Sequence, residues 1–123
     1  MKVNFNQNLL NLNGVTICEG GKQNLTLLLV TQNALLNLSK EEANLESGKK
    51  VDRYNLTLKI TVSKEQEVDL SAEEVVLIKS VVGKMYVPLI VGQVFRMLEG
   101  QPTGIIENLD PEVIEDPVSG RIN

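Results

Sequence analysis

The side chains suited to chemistry are few in this sequence, and they are not grouped for it. Histidine is absent and cysteine occurs once, at Cys18. This excludes a histidine general base, a Ser–His or Cys–His couple, a disulfide framework and a zinc centre of the usual Cys/His kind. Carboxylates come in adjacent pairs, Glu41/Glu42 and Glu73/Glu74. Neighbours diverge on a helix, so such pairs suit capping and solvation better than a converging acid and base. Glu65, Glu67 and Asp69 alternate and would line one side of an extended segment. Carboxylates so arranged can hold calcium, but the glycine and ligand order of a calcium loop are missing. Asp110, Glu112 and Asp116 lack that order too.

Other motifs are equally thin. Cys18 has no histidine to activate it and reads as a half-buried structural cysteine. Gly20-Gly21-Lys22 lacks the loop length and terminal Gly-Lys-Ser/Thr of a phosphate loop and reads as a turn. Lys49, Lys50 and Arg53 lie beside Glu46 and Asp52, as on a solvated face. Gly83 and Gly92 suit close backbone approach better than a cofactor. No catalytic, cofactor-binding or metal-ligating residue is assigned, no cofactor is expected, and the chain is expected not to be an enzyme.

The elements around these residues describe one small domain and a tail. Within 123 residues there are 12 bases and 16 acids, a formal charge of −4. The imbalance is confined to residues 101–123, where Glu107, Asp110, Glu112, Glu115 and Asp116 face Arg121 alone. Residues 1–100 are neutral in sum and read as a single compact domain; 101–123 reads as an acidic extended tail. A neutral body is not the footprint of a nucleic-acid binder. No run is apolar enough to span a membrane, and the polar start after Lys2 does not resemble a signal peptide. A cytoplasmic protein is expected, so the glycosylation-like triplets at Asn24, Asn37 and Asn55 are taken as chance.

Lys2-Val-Asn-Phe-Asn6 alternates like a strand, and Val15-Thr-Ile-Cys18 is bounded by turn residues. Pairing of the two would give a short ribbon burying Phe5, Val15 and Ile17. Residues 25–38 favour a helix over a strand at 26–31, with Leu25, Leu28, Leu29, Leu35 and Leu36 at helical spacing and Thr26 or Asn24 as cap. Ser39-Lys-Glu-Glu42 has capping-box spacing for a single turn. Residues 51–62 read two ways: Tyr54, Leu56, Leu58, Ile60 and Val62 alternate like a strand, while Val51, Tyr54, Leu58 and Thr61 or Val62 form a helical stripe. Ser71-Ala-Glu-Glu74 is a capping box inside a Leu70/Val75 staple and predicts a helix through Val75, Ile78, Val82, Met85 and Tyr86. Pro88 should break it near Tyr86–Val87, with Met85 and Leu89 both turned to the core. A second piece carries Leu89, Ile90, Val94, Met97 and Leu98 and ends at Gly100. Beyond it, residues 103–114 are expected to pack on the body or a neighbour, with 117–123 mobile.

Asp69-Leu-Ser-Ala-Glu-Glu-Val-Val-Leu-Ile-Lys79, Gly83-Lys84, Tyr86-Val-Pro-Leu-Ile-Val-Gly-Gln93 and Leu98-Glu99 together resemble a group of small uncharacterised proteins of tailed bacteriophages and prophages. Ser47-Gly-Lys-Lys-Val-Asp-Arg-Tyr-Asn-Leu-Thr-Leu-Lys-Ile60 resembles their preceding helix. The resemblance covers about residues 24–99, brings no catalytic residues, and implies that 51–62 is helical. The fold expected is therefore mainly α: a small helical domain with a short N-terminal ribbon, a kinked C-terminal helix pair and an extended tail. The alternative is α+β with 54–62 as a strand. The function expected is that of a phage or prophage accessory protein in the host cytoplasm, binding itself or another protein. Two alternatives remain: a phage factor sequestering a signalling nucleotide through Lys49, Lys50, Arg53 and Lys84, and a helix-turn-helix regulator.

Overall fold

A computed structural model describes residues 1–19, 23–63 and 67–106. Its N-terminal strand β1 (Lys2–Asn4) pairs antiparallel with β4 (Glu67–Asp69), with Val3 opposite Val68 and both buried. The pairing expected between residues 2–6 and 15–18 is not made. The segment after β1 is engaged elsewhere. Phe5 and Gln7 carbonyls accept from Leu28 and Leu27 N–H, 3.0 and 2.8 Å, at the start of the first helix. Such first-turn amides have no partner within their own helix. The second segment instead forms a hairpin of β2 (Cys18–Glu19) with β3 (Gln23–Asn24). Ile17 also donates to the Leu9 carbonyl and accepts from Leu25 N–H, so residues 9, 17 and 25 share one backbone network. Phe5 is buried as expected, and Ile17 packs against the core.

Helix α1 (Leu27–Leu36) is capped by Thr26, whose hydroxyl accepts from Leu29 N–H at 3.1 Å. Its buried side holds Leu27, Val30, Thr31, Ala34 and Leu35, while Leu36 is exposed. The expected stripe is thus rotated. A helix apolar on nearly every side gives periodicity no face to select.

Residues 47–62 form one helix, α2 (Ser47–Val62), so the strand at 54–62 is overturned. Two threonines disfavour a helix through χ1 restriction, but each can return a hydroxyl to the preceding turn. Thr57 and Thr61 do so, donating to the Arg53 and Thr57 carbonyls at 2.8 and 2.7 Å. Helix α3 (Ala72–Met85) opens on the expected box: Glu74 N–H donates to Ser71 Oγ at 3.1 Å and Ser71 N–H to Glu74 Oε1 at 2.8 Å. Leu70 and Val75 are both buried beside it. Tyr86 and Val87 are extended, and Pro88 starts α4 (Pro88–Leu98) at a position where a missing N–H is harmless. The break falls where expected, but Met85 is exposed and Leu89 only half-buried. Gly100, at φ +73°, closes α4.

Four α-helices among the described residues thus enclose one apolar core of Phe5, Leu9, Leu27, Val30, Ile60, Ile78, Val82, Val94 and Leu98, with the short strands at its N-terminal side. The sheets among the described residues are two separate two-stranded pairs, neither closed. Gln93, 3 % exposed, fastens α4 to the N-terminal segment: its amide accepts from Leu10 N–H at 3.0 Å and donates to the Leu10 carbonyl at 2.8 Å. Residues 107–123, on which most of the tail expectation falls, lie outside the described residues. Before them, Arg96 donates to the Pro102 carbonyl at 3.5 Å, and Ile105 is half-buried. Gly104 has φ +90°, a conformation that favours glycine; a Cβ there would stand 3.1 Å from the Arg96 guanidinium, the movable end of an exposed side chain, so the backbone angle and not the approach calls for glycine.

Candidate functional site

Two features of the described surface stand apart, both built on α2. The first is a buried charge cluster. A single 3₁₀ turn, Lys40–Glu42, follows α1, and its Glu42 carboxylate accepts from Ser39 N–H at 3.1 Å. The carboxylate then meets Arg53 in a two-pronged contact, with Nη1 3.2 Å from Oε1 and Nη2 on Oε2. Lys84 of α3 adds its ammonium at 3.3 Å. The Arg53 and Glu42 side chains are only 6 % and 8 % exposed. The Arg53 hydrogen bond, against the opposing effect of burial, lowers the Glu42 pKa from 4.5 to about 2. Arg53 therefore does not belong to the solvated face expected for it, and Glu42 does not share the exposed setting of Glu41. Residue spacing does not show this, because the partners are 11 residues apart and on different elements.

Beside this cluster lies a cleft of about 350 Å³, bordered by Leu45, Lys49, Asp52, Leu77 and Lys84. It gathers three of the four bases named for phosphate binding; Lys50 borders a different groove. The gathered charge is largely spent, since Glu42 takes both Arg53 and Lys84, and Asp52 lines the same cleft as Lys49.

The second feature is an uncovered apolar face. The buried side of α2 carries Arg53, Leu56, Thr57 and Ile60. On the opposite side Val51, Tyr54, Leu58 and Val62 recur at helical spacing, 55 %, 56 %, 44 % and 72 % exposed. This is the helical stripe expected for residues 51–62, but it faces outward. Exposed Leu36 and Leu38 extend it across the end of α1, where a groove of about 200 Å³ lies between Leu36, Leu38, Lys50 and Tyr54 over a floor of Leu35.

The remaining candidates stay apart. Glu74 is held by its cap and by Lys59 at 2.8 Å; burial works against its ionisation, but these contacts keep its pKa lowered. Glu67 and Asp69 are exposed on β4, and Glu65 lies outside the described residues. No group of three or more metal-binding side chains occurs among the described residues. Cys18 is exposed rather than half-buried. Gly20, Gly21 and Lys22 lie outside the described residues. Gly83 and Gly92 are exposed, and among the described residues no backbone outside their own helices comes within 4 Å of where a Cβ would stand. Arg96 is the one base of α4. No described helix is long and apolar enough to cross a membrane. Comparisons with protein-family models, curated proteins and solved structures gave no match.

Proposed function

We propose that this chain is a phage or prophage accessory protein that acts by binding a protein through the uncovered face of α1 and α2. The observation that carries the binding role is the contiguous exposure of Leu36, Leu38, Val51, Tyr54, Leu58 and Val62. Contiguous apolar patches of this kind mark interaction sites, whereas singly scattered apolar residues need no explanation. The phage origin rests on the resemblance of residues 24–99. Work of this sort needs no reacting groups, and its natural setting is the host cytoplasm. The partner is a second copy or another protein; a metal, a membrane or a nucleic acid is not called for.

The test is retention by the immobilised full chain, comparing wild type with Leu58→Glu. A stoichiometric protein partner, self or host, held by wild type and released by the variant is the expected result. Equal retention by both, or none by either, would remove the reading.

The gathering of Lys49, Arg53 and Lys84 around one cleft favours a second reading, a nucleotide-sequestering factor. A phosphate there would have to compete with Glu42 for Arg53 and Lys84. Thermal shifts with linear and cyclic nucleotides decide it: stabilisation by none of them sinks this alternative.

A further inference from the structure

We infer that the occupant of the uncovered α2 face is a second copy of this chain, with the two α2 helices antiparallel across a two-fold axis between Tyr54 and Leu58. The inference rests on the interaction reading above and names its partner.

Three observations point to self-pairing. The first is the order of side chains along the face: valine, tyrosine, leucine, valine at 51, 54, 58 and 62. Read backwards, the set retains valine at both ends and a large side chain at both inner positions. An antiparallel copy therefore sets Tyr54 against Leu58 of the second copy and Val51 against its Val62. A two-fold interface requires such self-complementarity, because one patch must fit itself. The same arrangement carries Leu58 and Val62 of the second copy over the groove between Leu36, Leu38 and Tyr54.

The second observation is charge. The stripe Val51, Tyr54, Leu58 and Val62 carries no ionisable group other than the Tyr54 phenol, so a copy meets no like charge along the helix seam, as interface cores prefer; charge stands only beside it, where Lys50 and Arg53 border the groove next to Leu36 and Leu38. Of these cations Arg53 is already paired with Glu42, and Lys50 lies in the first turn of α2; Lys49 lines the cleft on the other side of the helix. Antiparallel packing lays Lys50 beside the C-terminal end of the other α2, where unpaired carbonyls carry partial negative charge and Lys59 is already held by Glu74. A parallel copy would instead bring the two Lys50 side chains together.

The third is area. At roughly 150–200 Å² for a fully exposed residue of this size, the six exposures amount to about 600 Å² of mostly apolar surface. A standard interface buries about 800 Å² on each partner, so these residues alone supply most of one side. Tyr54 is the large, rigid anchor of the kind that dominates interface energetics.

The experiment is sedimentation equilibrium of the full chain from low to high micromolar concentration. Wild type should reach twice 13.6 kDa. Leu58→Glu should weaken association by about a hundredfold or more, because each copy would bury an unpaired carboxylate. Val76→Glu, at an exposed position of α3, should leave it unchanged. Far-UV circular dichroism shows that both variants remain folded; if Leu58→Glu does not, Val62→Glu, at a more exposed position, takes its place. In a Cys18→Ser background, Tyr54→Cys mixed with Leu58→Cys should form a disulfide-linked heterodimer faster than either forms a homodimer.

A wild-type monomer at every concentration overturns the inference, as does a dimer indifferent to Leu58→Glu. Preferred Tyr54→Cys homodimers would overturn the antiparallel arrangement. A wild-type monomer that still retains a host protein lost with Leu58→Glu would sink the inference and leave the interaction reading standing.

Discussion

The two sides of α2 reverse the usual assignment of polar and apolar residues. Its covered side holds a guanidinium and a threonine hydroxyl beside Leu56 and Ile60; its open side holds two valines, a leucine and a tyrosine. Apolar area alone would turn the helix the other way, since each covered side chain of this kind contributes about 1.5–3 kcal/mol. What fixes the observed orientation is chemical pairing. Arg53 has a buried carboxylate waiting on the turn before α2, and Thr57 can share the covered side because its hydroxyl returns to the Arg53 carbonyl. The comparison teaches that the covered side is specified by partners, and that the open side is left with apolar area for something else to cover.

Breaking the covered side should have the largest effect. Arg53→Met leaves the buried Glu42 carboxylate with the Ser39 N–H and Lys84 as its one cation, and should cost about 3–5 kcal/mol of stability in urea unfolding. Replacing both partners together, Glu42→Gln with Arg53→Met, should cost much less than the sum of the single changes. Equal and additive losses would mean that the pair is not coupled.

Acid probes the same pair without mutation. The Glu42 pKa is lowered in the folded chain, from 4.5 to about 2, so the unfolded chain binds the proton first as pH falls. The stability it contributes is complete above pH 4.5 and is lost as pH falls through about 2. A shift of this size corresponds to about 3 kcal/mol. The difference in unfolding free energy between wild type and Glu42→Gln should shrink across that window, and a pH-independent difference would contradict the pairing.

A smaller effect belongs to the edge of α2, where Lys59 reaches Glu74 of the α3 cap. Ser71→Ala removes the hydroxyl that accepts from Glu74 N–H and should cost about 1 kcal/mol. An unchanged urea midpoint at wild-type slope would show that this hydroxyl caps nothing.

Local signals are legible in the sequence, and distant pairings are not. Ser71, Glu74, Thr26 and Pro88 act within a few residues of themselves, so spacing alone places the Ser71 cap and the break between α3 and α4, and narrows the α1 cap to Thr26 or Asn24. The helical stripe Val51, Tyr54, Leu58 and Val62 was legible as a stripe, but its side was not. Periodicity gives the angle between residues and says nothing about where the core lies. Arg53 reads as solvated in sequence because Glu42 approaches it only once the 3₁₀ turn has folded back. Gln93 gave no signal at all: its partner is the backbone of Leu10, 83 residues away, and a backbone group has no residue type to recognise. The strand pairing failed for the same reason, since β1 chose a partner beyond two intervening helices.

The smallest expected effect is the most informative about the open side. Leu58→Ser removes an apolar side chain that is already 44 % exposed. In dilute solution, where the chain is unassociated, it should change unfolding free energy by no more than about 0.5 kcal/mol, as for an ordinary surface substitution. Concentration should separate the two proteins. Whatever binds the folded state alone raises the thermal midpoint by mass action, so wild type should melt higher as protein concentration rises. Leu58→Ser should show that rise weakly or not at all. A large loss in dilute solution would mean that Leu58 packs within its own chain, and parallel midpoints at all concentrations would mean that the open side of α2 meets no second copy.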